Sequence, residues 1–191
     1  MLNSHLGLAD GILTERMTLR VANEESTVAL HAYCISNRAH LQPWEPARSE
    51  SFFEIDAVAG RLRSMATQTA AGNAVHFLLF DSESGELLGD CNFTNVVRGP
   101  FQACHLGFSI AMDAEGKGLM TEALTAAIPY AFKTMGLHRI MANYRPENTR
   151  SGLLLARLGF EKEGVARSYL QINGSWADHV LTSLLNPDDL D

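Results

Sequence analysis

The sequence predicts a mixed α/β (α+β) domain whose sheet begins antiparallel and becomes parallel where helices cross over. Three observations carry this. Strand-like runs at 75–80, 87–93 and 104–110 follow one another with only turns between them. A turn, helix, strand and second helix then succeed one another up to Leu158. Finally, Asn173-Gly174, the strongest short hairpin signal, joins two last β-rich runs. With one earlier strand, the expectation is a sheet of six or seven strands flanked by helices, within a single domain spanning 1–191.

In order, Thr18-Leu-Arg-Val21 reads as the first strand, and Glu24-Glu25-Ser26 opens a helix whose positive end the acidic pair suits. Pro43 and Pro46 break the chain around Trp44 and Glu45. Phe53, Val58, Leu62 and Met65 recur at helical spacing over 51–71. Ser82 to Gly85 joins the next two strands, and Gly107, inside the third, suggests a bulge or a close backbone approach. After Gly118, Met120, Leu124, Ala127, Ile128 and Ala131 share one helix face, Gly136 ends it, and Pro129 should kink or weaken its second half. A strand follows at 139–142. Asn148 is the N-cap of a helix that Gly159 closes, and strands at 165–172 and 175–185 flank the hairpin turn.

Composition narrows the function classes. A formal net charge of −7 disfavours general nucleic-acid binding, which depends on Lys and Arg neutralising phosphates, and permits a basic partner. Three widely spaced cysteines without a C-x-x-C pair argue against a disulfide framework or a zinc site and suit a reducing cytoplasm. No apolar run is long enough to span a membrane, and 1–11 lacks the pattern of an export signal.

The chemistry centres on Glu115-Gly116-Lys117-Gly118, between a strand and a helix. Glycines let the backbone bend and a ligand approach, and the amides at a helix start form an anion site suited to phosphate. A dinucleotide fingerprint needs Gly or Ala where Thr121 stands. A P-loop needs Gly at Ala111 and Ser or Thr at Gly118. Both fail.

A third pattern fits. The strand 104–110, the turn through Gly116 and Gly118 and the helix with Glu122-Ala123-Leu124 resemble motif A of the GNAT acyltransferases. Asn148-Thr149-Arg150-Ser151, then Leu158-Gly159-Phe160 and Glu163-Gly164, resemble the signature of that superfamily's ribosomal-protein acetyltransferase branch. The resemblance covers nearly the whole chain. It implies a GNAT fold that binds acetyl-CoA through Phe108, Ser109, Ile110, Glu115, Gly116, Lys117, Gly118, Leu119, Met120, Thr121, Asn148 and Ser151. It also implies a substrate site at Trp44, Glu45 and Asn92, and acetylation of the N-terminal α-amine, an alanine, in the basic N-terminal segment of a small-subunit ribosomal protein. Two departures stand out. The turn's leading Gln or Arg falls at Asp113, and Glu115, beside the phosphates, is expected to turn its side chain away.

Acetyl transfer by direct attack needs the amine deprotonated and the departing thiolate protonated or stabilised. A main-chain N–H of the 104–110 strand is implied for the thioester oxygen. His105, where many relatives carry a glutamate, and Glu45 are the candidate bases, and Ser151 the candidate donor to the thiolate. Each has a plainer reading: His105 as a packed strand histidine, Glu45 as a surface or amine-binding carboxylate, Ser151 as a first-turn serine satisfying the backbone. Two other functions stay open, a GNAT enzyme for small-molecule amines and a non-catalytic ribosome assembly factor.

Overall fold

The computed structural model describes residues 11–189. In chain order these form β1 (Ile12–Leu13), β2 (Met17–Val21), α1 (Thr27–Ser36), α2 (Arg38–Leu41), α3 (Ile55–Ala70), β3 (Val75–Asp81), β4 (Leu87–Val97) and β5 (Ala103–Ile110). They continue with α4 (Leu119–Pro129), β6 (Arg139–Tyr144), α5 (Thr149–Arg157), β7 (Glu161–Ile172) and β8 (Ser175–Leu185). One sheet holds the eight strands in the order β1-β2-β3-β4-β5-β6-β8-β7, and only the β5–β6 pairing is parallel. The count exceeds the expected six or seven because β1, two residues long, is too short to show an alternation. The reading of the first residues as no export signal falls largely outside the described residues.

Alternation assigns the two sheet faces. Cys91, Phe93, Cys104, Leu106 and Ile140 point to one side, where Ala123, Leu124 and Ala127 of α4 and Leu155 of α5 complete the main core. A second, smaller core lies on the other side: Leu30 and Tyr33 of α1 with Val58 and Leu62 of α3 cover Leu78 and Phe80 of β3. Burying an aliphatic side chain such as Leu124 contributes about 1.5–3 kcal/mol each. This second layer covers β3 and stops over β4 and β5, which leaves room for a cavity on that face.

Three departures from regularity shape the site. Pro129 has no N–H to continue the helix, and α4 widens into a π-helical turn at Tyr130–Thr134, so the expected weakening takes this form. The strand irregularity anticipated at Gly107 lies instead on β4, where the register shifts between Thr94 and Val97 and Asn95 takes a positive φ of 53°. Gly107 pairs regularly with Asn92, and a Cβ there would meet nothing within 4 Å, so the glycine leaves open space instead of a bulge. Finally, β5 and β6 pair only from Ala103↔Arg139 to His105↔Met141. Beyond that seam β5 stays with β4 and β6 with β8, so the two halves of the sheet part.

Candidate active site

The head of α4 is open. Gly116 and Gly118 hold φ of 73° and 76°, a left-handed conformation that L side chains adopt only at a cost. Gly118 is the N-cap residue and offers no side chain, so no side-chain acceptor meets the first-turn amides of Leu119, Met120 and Thr121. The Leu119 and Met120 side chains are buried in the core and fix the helix end. Arg16 braces it from outside, its Nε donating to Glu122 Oε2 (2.6 Å) and its Nη1 to the Lys117 carbonyl (2.9 Å). The Glu115 carboxylate accepts from Arg150 and lies 3.5 Å from His40 Nε2, so it is drawn off toward those side chains. Asp113 stands in the short 3-10 turn at Met112–Ala114. Free amides, a positive helix end and a glycine backbone fit a diphosphate, and the gap between β5 and β6 fits an extended amide-bearing arm.

The start of α5 supplies the next group. Asn148 Oδ1 accepts from the backbone N–H of Ser151 (3.1 Å), so the cap uses the serine's main chain and leaves its hydroxyl without a hydrogen bond among the described residues. Gly152 lets the Tyr144 ring close on this turn, since a Cβ there would lie 2.9 Å from ring atoms.

On the other face of the sheet, a cavity of about 400 Å³ opens between α1, α3 and strands β4 and β5. Glu45, Asn92, Phe108 and Ser109 line it, bringing together four of the residues named from sequence. Two named residues lie apart. His105 lies on the same sheet face as Gly107 and Ser109 but is not among the lining residues; its Nδ1 is enclosed without a partner, and loss of solvent lowers its pKa. Trp44 is exposed, with Arg145 above its ring at 5.9 Å. The loop carrying Glu45 is tied down from both sides. Arg145 Nη1 donates to the Pro43 carbonyl (2.9 Å), and the backbone N–H of Asn173, at the β7–β8 tip, donates to the Glu45 carbonyl (2.8 Å).

Sequence reading missed Asp90, Tyr33, Arg38, Arg48 and Arg61, which also line the cavity. Ser109 Oγ donates to Asp90 Oδ1 (3.2 Å) and lies 2.9 Å from Tyr33 Oη. Asp90 keeps slight solvent contact through the cavity, yet protein rings its carboxyl, and burial with the nearby Glu45 pushes its pKa up to about 7. A signal was present: Asp90, Asn92 and Thr94 recur with period two between the apolar Cys91 and Phe93.

A helix head with free amides on one face of a parting sheet, and a cavity lined by carboxylates on the other, are the layout of an acyltransferase. The chain belongs to the GNAT acetyltransferase family: the family model for the acetyltransferase (GNAT) domain matches residues 16–161. It is 51% identical over 177 residues to the [ribosomal protein uS5]-alanine N-acetyltransferase of Escherichia coli K12, covering 93% of this chain and 91% of that one. Among solved structures, the ribosomal-protein-S5-alanine acetyltransferase of Vibrio fischeri superposes with a TM-score of 0.89 at 39% identity, over 94% of this chain and 98% of that one. Mycobacterium smegmatis RimJ, solved with a CoA disulfide, gives a TM-score of 0.85 at 28% identity, over 92% and 84%. The chain is an acetyl-CoA-dependent acetyltransferase. Among the described residues no helix is long and apolar enough to cross a membrane, and no cluster could hold a metal ion.

Proposed function

We propose that the chain acetylates the N-terminal α-amine of a small-subunit ribosomal protein, with alanine as the acceptor residue, in the cytoplasm. Acetyl-CoA supplies an activated acetyl group; the protein's residues hold, orient and move protons. The amides of Gly116 to Thr121 hold the diphosphate, with Phe108, Ser109 and Ile110 of β5 and the Asn148 turn along the arm. A main-chain N–H of β5 beyond the seam polarises the thioester oxygen. Ser151, its hydroxyl unspent on capping, donates to the departing thiolate. Glu45 receives the positively charged N-terminus, with Asn92 beside it and Trp44 at the rim. His105 packs on the strand outside this cavity.

One observation carries the reading. The cavity meets β5 at Gly107 and Ser109, on the far side of the strand from the main core, and Asp90 and Glu45 line it with arginines that Glu50, the Phe52 carbonyl and Glu45 engage. Similarity to uS5-alanine acetyltransferases over most of both chains supports the substrate class. The test is acetyl-CoA turnover on an Ala-initiated basic peptide, on the same peptide with a blocked N-terminus, and on small amines. Turnover of the free peptide alone is expected; preference for small amines would overturn the reading, and binding of acetyl-CoA without any turnover would favour an assembly role.

A further inference from the structure

Asp90 is an enclosed charge that the reaction as described leaves without a task. It stands mid-strand on β4 with Ser109 as its Cα partner on β5, and it lines the cavity beside Asn92 and Gly107. A carboxylate withdrawn from water is costly unless a cation or several donors meet it. Here Ser109 Oγ donates to Oδ1, the Ser109 N–H and the Asn92 side chain also act on the carboxyl, and no cation pairs with it among the described residues.

The cations around the cavity are engaged elsewhere. Arg38 pairs with Glu50 and covers the Phe53 ring. Arg61 Nη1 donates to the Phe52 carbonyl (2.6 Å), and its guanidinium stacks 3.7 Å over that ring. Arg48 lies 3.7 Å from Glu45. Tyr33 and Cys34 face Asp90 from α1, and His76 of β3 reaches only as far as Asn92, with Nδ1 2.8 Å from Oδ1. The charge that acts on Asp90 is Glu45, also negative. Glu45 has Arg48 beside it, whereas Asp90 makes no ion pair among the described residues, so a cationic ligand entering the cavity would meet Asp90 as the unpaired carboxylate.

We propose that Asp90 takes the proton from the substrate's α-ammonium, while Glu45 holds the ammonium against it. This rests on the proposed function and deepens it. One N–H bond of the ammonium breaks, an O–H bond forms at Asp90 Oδ2, and the electron pair stays on nitrogen. In the transfer, nitrogen bonds the acetyl carbon as the carbon–sulfur bond breaks, the electron pair leaves with sulfur, and the amine's next proton goes to sulfur. Asp90 then returns its proton to water, so each turnover releases one proton. An Asp carboxyl raised to about 7 is matched to an α-ammonium that titrates at about 7.7–8.0. Glu45, a third exposed on the same cavity, is the second carboxylate that an ammonium at Asp90 would meet.

The test combines binding with turnover. Calorimetry of an Ala-initiated peptide binding the enzyme–CoA complex, run in two buffers of different ionisation enthalpy, should show proton release near pH 7 that turns to proton uptake at pH 8.5, where the free amine is mostly neutral. Asp90→Asn should show no release near pH 7 while binding CoA as wild type does. Its kcat should fall about 10²–10⁴-fold and lose its acid limb. In Glu45→Gln the limb should move to lower pH, because a like charge has gone. Should Asp90→Asn fail to fold, Ser109→Ala should move the limb to higher pH by removing a donor to the carboxylate. An Asp90→Asn enzyme with wild-type proton release and pH profile overturns the inference alone. A wild-type enzyme inactive on the peptide overturns the proposed function.

Discussion

Gly118→Ala separates the conformational demand of the cofactor turn from its steric demand. A Cβ at Gly118 would lie 3.7 Å from Arg16 Nη2, an ordinary contact, so crowding contributes little. The backbone contributes more: at φ 76° and ψ 2° an L residue costs about 1–2 kcal/mol. For a chain of this size that lowers Tm by about 2–8 °C. If the turn relaxes toward negative φ, the amides that follow swing away from the diphosphate. Losing one hydrogen bond to a charged group costs about 1.5–3 kcal/mol, which weakens CoA about 10- to 150-fold. Titration calorimetry with CoA and thermal melts of the unliganded protein read the two effects separately, and peptide KM should stay near wild type. A variant whose turn is seen at negative φ and that still binds CoA like wild type would refute the assignment of the diphosphate to these amides.

Further outcomes follow from single contacts. Ser151→Ala should keep its melting temperature, because the cap bond uses the serine's N–H, while steady-state kcat falls about 10²-fold; lost stability with intact kcat would make the hydroxyl structural. Gly89→Ala places a Cβ 2.3 Å from the Ser109 carbonyl oxygen, so β4 and β5 must part at a cost of about 1–3 kcal/mol, visible in denaturant melts. Asp90 has a folded pKa raised from 3.8 to about 7 by burial and Glu45. Its contribution to stability is therefore complete below the unfolded value and is lost as pH rises through 7. Asp90→Asn should accordingly gain melting temperature over wild type at pH 8.5 and much less at pH 5; an equal difference at both would contradict the raised pKa.

What could be read in the chain was local. The glycine turn is written in three adjacent positions whose backbone demands are intrinsic, and α5 is punctuated by Asn148 and Gly159 at its two ends. The hairpin at Asn173-Gly174 shows for the same reason, with φ of 45° and 82°. The early start of β7, at Glu161, was hidden, since that edge strand is exposed along nearly its whole length and has no apolar alternation. The cavity was illegible because it is assembled at a distance: Glu45 from a loop, Arg61 from α3, Asp90 from β4. Asp90 alone had a readable cue, a polar residue recurring at strand spacing, yet in one sequence that pattern equally describes a solvated face. His105 drew attention by its type and its strand, and only the fold shows that it is displaced along β5 from the opening.

The hydrogen bond from Asn173 to Glu45 stitches the last hairpin of the chain onto a loop from its first quarter. During synthesis the glycine turn, α4 and Arg145 emerge before this hairpin, so the wall bearing Glu45 can be held from one side before it is held from the other. The acceptor chamber thus gains its last tether only when the final hairpin has formed.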